Sequence, residues 1–309
     1  MRKRGGRQKS RDSCQLLLRM RRYLRDLNAH TGAAFPVFQQ RQEQLEPLSE
    51  AQRRVNHAVR FVRLGYIGRA AKALVADPPL DQASILPALR KLHPVGPDPR
   101  EIPAVPEPLR NPLIEVTAGE DLKTFISRYV ANGAAPGPSG WTGEHILATT
   151  NDELCLQMWT TIIFDLRTGR MPAAAQPYLL ASRLNGIPKS SDPKKPRPVA
   201  PGEVIFKMAM VHALKENMPA IRDVFEPNGQ FGTAVPGGCE KIVHAVQAWT
   251  DNGWTVINKD FADAFQSVQR QVCLNALYTE TADGKGVLGE LAPILHWAYS
   301  VHSPLFVQQ

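Results

Sequence analysis

Apolar residues recur at helical spacing in five stretches of the chain, and a sixth opens on a short apolar run. Leu16, Leu17, Met20, Leu24 and Leu27 predict a basic amphipathic helix over 14–27. A stripe of Val55, Val59, Val62, Tyr66, Ala70 and Leu74, with Arg53, Arg60, Arg63, Arg69 and Lys72 off it, predicts another over about 51–76. Thr117-Ala118-Gly119-Glu120 has the form of a capping box. It opens a helix that turns Leu122, Phe125, Ile126, Tyr129 and Val130 inward and stops at Asn132-Gly133. Leu154, Met158, Ile162 and Leu166 mark a helix over 152–168, and a further one fits 203–217 before Pro219. In the sixth stretch Val256, Asn258 and Asp260 alternate with Ile257, Lys259 and Phe261, the period of a strand.

The breaks divide the chain. Seven prolines between Pro94 and Pro112 fix φ and remove donors, which predicts an extended linker between N-terminal helices and a main domain. The expected segments are a partly disordered basic tail (1–40), a helical region (41–93), the linker (94–115), a first part of the main domain (116–245) and a second part opened by the strand (246–309). Ser190-Ser191-Asp192-Pro193 forms a turn cluster flanked by short extended runs. Pro188, Pro196 and Pro198 each lack a ladder donor, so those runs suit a two-stranded ribbon. The fold class is α+β.

Composition narrows the partners. The 309 residues give room for about two domains. No apolar run reaches the roughly 18 residues that a membrane span needs, and the opening residues are too charged for a signal-peptide core. Cys14, Cys155, Cys239 and Cys273 are widely separated, which predicts reduced thiols in an intracellular protein. The net charge of +8 resides in the tail, since residues 1–40 carry ten Lys or Arg against Asp12 and Asp26. The tail reads equally as a phosphate-binding arm, a nuclear-import signal or a solvated end, and the high pI says nothing of the folded part.

Four ordered patterns carry candidate chemistry. Ala135-Pro136-Gly137-Pro138-Ser139-Gly140-Trp141-Thr142 is a turn that delivers Trp141 to a core and starts a helix near Thr142. Folding of the ribbon brings Lys189 and Arg197 near each other, a pair of donors suited to a polyanion such as a triphosphate. Gln230-Phe231-Gly232 runs through Gly237-Gly238 into a helix, a loop whose glycines permit close backbone approach. Asp260 follows a short apolar run, with Phe265 five residues on. A carboxylate there serves either as a metal ligand or as an ordinary helix cap.

Taken in order, these patterns resemble the reverse transcriptase of non-LTR retrotransposons and related retroelements, well over 110–309 and loosely over 60–95. The resemblance implies part of a polymerase right hand, with fingers and the start of a palm behind N-terminal helices. Its activity would be RNA-directed DNA synthesis, in which a DNA primer on an RNA template attacks a dNTP under two Mg²⁺ ions. By the same resemblance Asp260 and the Phe261 carbonyl hold metal, and Lys189 and Arg197 meet the triphosphate. Phe265 would lie under the sugar and exclude a 2′-hydroxyl, and Gln230 and Gly232 would belong to a wall beside template and nucleotide. Ser139 stands where the family usually has Asp, Lys259 at a usually apolar position, and Gln266 where Asn or Asp is usual. The family's Tyr-x-Asp-Asp-like block does not occur in the 309 residues. The expectation is a fragment ending before that block and inactive alone. The other reading is a non-catalytic nucleic-acid-binding remnant that uses its basic arm.

Overall fold

The computed structural model describes residues 48–63, 65–75, 80–93, 116, 119–189, 192–261, 264, 268–278 and 288–307. The tail, its helix at 14–27 and the proline linker therefore lie outside the described residues. What is described is α+β, mostly helical with one small sheet.

The stretch predicted as one helix over 51–76 is two, α1 (Glu50–Arg63) and α2 (Ile67–Val75). Gly65, at φ +80°, stands between them, a conformation that glycine adopts without steric cost. Their packed face is marked by the small residues Ala58 and Ala70, whereas Val55, Val59, Val62 and Leu74 of the predicted stripe are exposed. With α3 (Gln82–Leu92) these helices are joined to the main body and not held apart from it. Arg69 donates to the Asn132 carbonyl at 2.8 Å. Leu89 of α3 is fully buried, and a Cβ on Gly186 would lie 2.1 Å from Ile85 Cδ1.

The central helices enclose the core. α4 (Gly119–Phe125) runs on into a π turn (Ile126–Val130), with Leu122, Ile126 and Val130 buried, and Gly133 at φ +69° follows just beyond its end. α5 (Gly143–Thr149) begins with a capping box between Thr142 and His145, and Trp141 before it is buried, as the turn pattern predicts. α6 (Glu153–Arg167) is capped by Asp152, whose side chain accepts from Cys155 N at 3.0 Å. Its buried face is Cys155, Leu156, Trp159, Ile162, Ile163 and Leu166, turned from the predicted stripe, so Leu154 is exposed. Trp159 decides that turn: it is the largest side chain of the helix, and its Nε1 donates to the buried Thr149 Oγ1 at 2.9 Å.

After a 3-10 turn (Ala173–Ala175) and the short α7 (Gln176–Leu179), the chain enters a three-stranded sheet of order β2-β1-β3. β1 (Ser182–Lys189) pairs antiparallel with β2 (Asp192–Val199) and parallel with β3 (Leu305–Val307). The predicted ribbon thus forms, and its first strand gains a third partner at the base. α8 (Val204–Glu216), α9 (Met218–Phe225), α10 (Gly238–Asp251), α11 (Arg270–Tyr278) and α12 (Ala292–Tyr299) follow β2. α12 is locked to the core: Trp297 Nε1 donates to the Met171 carbonyl, and Gln176 Nε2 to the Trp297 carbonyl, both at 2.6 Å.

The predicted strand at Val256–Phe261 does not form. Residues 254–261 are coil and exposed, with Ile257 at 76% and Phe261 at 77%. Alternation of side chains says which residues would share a face. It does not supply a neighbour for the N–H and C=O groups, and a lone strand is not stable in water.

Candidate nucleotide site

The ribbon is the best-formed part of the candidate site. Its ladder sets Asn185 opposite Val199, Ile187 opposite Arg197 and Pro188 opposite Pro196, then shifts so that Lys189 faces Asp192. The prolines fall beyond Ser182–Leu184, where β3 pairs, so their missing donors cost no bond to the third strand. Arg197 is exposed and enters no ion pair among the described residues. It lies across from the position two residues before Lys189, at the middle pair of the ladder, whereas Lys189 stands at the turn end opposite Asp192. The Lys189 side chain is outside the described residues.

The glycine turn at 136–140 docks at the base of that ribbon. A Cβ on Gly137 would lie 2.8 Å from the Gly202 carbonyl carbon and 2.9 Å from Glu203 N, so the approach is open only to glycine. Ser139 grips Glu203 twice: its backbone N–H donates to Oε1 at 2.7 Å and its hydroxyl to Oε2 at 2.5 Å. The hydroxyl oxygen also accepts from Trp141 N at 3.2 Å. Arg183 of β1 reaches the Gly137 carbonyl at 3.4 Å. Glu203 is 5% exposed; burial raises its pKa, and the two bonds from Ser139, then Arg183, pull it back. Nothing in the motifs of the sequence singles out Glu203. The only signal for it is an acid at the start of a predicted helix, which ordinarily means a solvated cap.

The loop that bears Gln230 and Gly232 closes on itself. Gln230 Oε1 accepts from Gly232 N at 2.8 Å, and Arg222 Nε donates to the Ala234 carbonyl at 3.1 Å. Gly238 opens α10 where a Cβ would meet the Phe231 carbonyl oxygen at 1.9 Å. Lys241 then pairs with Glu226, fastening α10 to the segment after α9. His244 is exposed on α10.

Asp260 and Phe261 stand in the exposed coil and make no hydrogen bond or ion pair among the described residues. No cluster of three or more His, Cys, Asp or Glu able to hold a metal ion occurs among the described residues. Phe265 lies outside them.

The chain is similar to the retrotransposable element SLACS 132 kDa protein of Trypanosoma brucei gambiense, with 24% identity over 174 residues. Those residues are 56% of this chain and 14% of that protein. No protein-family model matches the chain, and no solved structure matches it. What the likeness carries is a relation to a retroelement protein. No helix among the described residues is long and apolar enough to cross a membrane.

Proposed function

We propose that the chain is a fragment of a retroelement reverse transcriptase, comprising the fingers and the opening of the palm. The observation that carries this reading is the ribbon with the glycine turn at its base. Lys189 closes the turn end of the ladder with Arg197 two pairs in from it, and the 135–142 motif meets Glu203 just past the other end. In the complete polypeptide Lys189 and Arg197 meet the triphosphate, and Phe265 lies under the sugar. Two Mg²⁺ ions would supply the charge stabilisation of phosphoryl transfer there. Asp260 is the residue of this chain that would hold them, assisted by the Phe261 carbonyl. Gln230 and Gly232 line the path of an RNA template and DNA primer. The likeness to a retrotransposable element protein supports the reading.

One carboxylate cannot hold two ions in register, so residues 1–309 alone are expected to give no templated synthesis. Primer extension on an RNA template tests this directly. The chain is compared with a fusion that continues through a Tyr-x-Asp-Asp-bearing palm. Synthesis by the fusion that is abolished by Asp260→Asn, with primer-template binding retained, supports the assignment. Phe265→Val in the same fusion is expected to admit ribonucleotides. Synthesis by the fusion that survives Asp260→Asn would remove Asp260 from the site.

A further inference from the structure

The deepest-buried charged group of the described protein stands on α6, facing α8. Arg167, 1% exposed, is the last residue of α6, and its guanidinium reaches His212 and Glu216, one turn apart on α8, and Glu290 in the 3-10 turn (Gly289–Leu291) before α12. Nη1 donates to Glu216 Oε2 and lies 3.1 Å from His212 Nδ1. Nη2 lies 3.7 Å from Glu290 Oε2, which also accepts from Asn217 Nδ2 at 3.4 Å. His212 Nε2 stands 3.4 Å from Glu216 Oε1. Three elements far apart in sequence thus meet on one guanidinium.

The geometry fixes the protonation of the ring. A guanidinium carries donors only, so Nδ1 must offer it a lone pair, and the imidazole proton sits on Nε2, toward Glu216. A second proton would aim an N–H at an N–H and bring two cations together where His212 is 2% exposed. The remaining neighbours do not relieve this. α4 presents the edge of the Phe125 ring, centroids 5.0 Å apart. On the π turn the Tyr129 ring takes Lys215 Nζ, and on α9 Arg222 is bound to the Ala234 carbonyl. Burial, and then Arg167, lower the His212 pKa, while Glu216 acts in the opposite sense.

We propose that Arg167, His212, Glu216 and Glu290 form an acid-sensitive latch, closed while His212 is neutral, that holds α8 and the turn leading into α12 against the end of α6. Because the folded pKa of His212 lies below its ordinary value of 6.5, the latch is fully stable above that value. It weakens as pH falls below 6.5 toward the depressed value. α12 leads into β3, which pairs with the base of β1, so opening the latch loosens the support of the ribbon.

Amide hydrogen exchange on the full chain at pH 8 and pH 5, referred to the α6 amides of the same sample, measures the opening. Protection of residues 289–299 is expected to fall by at least about tenfold at the lower pH, as losing a hydrogen bond to a charged group implies. His212→Asn, which keeps an acceptor near the Nδ1 position but cannot titrate in this range, is expected to abolish that fall. Unchanged protection in the parent, or the same fall in His212→Asn, overturns the proposal. Nitrogen-15 spectra of the parent's labelled histidines give an independent reading that needs no variant. A neutral Nε2–H ring at pH 7 supports the latch, and a cation or an Nδ1–H ring overturns it.

Discussion

Replacing Ser139 with alanine isolates the joint between the glycine turn and the helix that follows the ribbon. The substitution removes the 2.5 Å hydroxyl bond to Glu203 Oε2 and the acceptor for Trp141 N, and leaves the Ser139 N–H on Oε1 in place. A hydrogen bond to a charged group contributes about 1.5–3 kcal/mol. Ser139 is exposed enough for water to replace part of that, so the expected loss at pH 7 is about 1–2 kcal/mol. Most of it depends on Glu203 being ionised. The folded pKa of Glu203 lies above the ordinary glutamate value of 4.5, so its contribution to stability is fully present below 4.5 and is lost as pH rises through the raised value. Removing a donor to the carboxylate raises that pKa further and penalises only the ionised form. At pH 4 the loss is therefore expected to shrink to about 0.5 kcal/mol, the share of the Trp141 N–H. Urea unfolding at the two pH values, with unchanged slopes, measures both numbers. An equal loss at pH 4 and pH 7, or a loss below about 0.3 kcal/mol at both, would refute the buried-carboxylate account.

Gly143→Ala places a Cβ 2.1 Å from the Val130 carbonyl oxygen, at the crossing of α5 and the π turn. It is expected to cost about 3 kcal/mol or more, read by urea unfolding, or by loss of helical circular dichroism if the variant fails to fold. Deleting residues 1–30 is expected to weaken nonspecific DNA and RNA binding. It should also flatten the salt dependence, by about 0.9 in log affinity per log salt for each duplex phosphate no longer neutralised. A slope unchanged by the deletion would place the contacts elsewhere.

Much of the local structure was legible in the sequence, and the reasons differ by element. The α6 and α8 helices announce themselves through their periodicity and their boundaries at Asp152 and Pro219, and the Trp141–Thr142 entry into α5 through its turn chemistry. The ribbon was readable because a turn cluster with flanking prolines has few other uses. Which face of α6 is buried was not readable, because Leu154, Met158, Ile162, Leu166 and the true series through Trp159 fit one helical period equally well. The split at Gly65 and the parallel partner β3 depend on contacts between distant segments. So does the isolation of Val256–Phe261, whose alternation carries no information on whether a neighbouring strand exists. Glu203 and Arg167 were invisible for a similar reason: each reads as a solvated charge at a helix end until the partner that buries it is in place.

The proposal that the ribbon is the nucleotide-binding edge of a polymerase is tested most directly by equilibrium titration of the chain with a Mg²⁺-bound dNTP at fixed ionic strength. Saturable binding is expected, weakened at least about tenfold by Lys189→Ala and by Arg197→Ala, the size of a lost charge-assisted hydrogen bond. Deleting residues 1–30 is expected to leave it unchanged. Absence of triphosphate binding, or binding that both variants retain in full, would contradict the account.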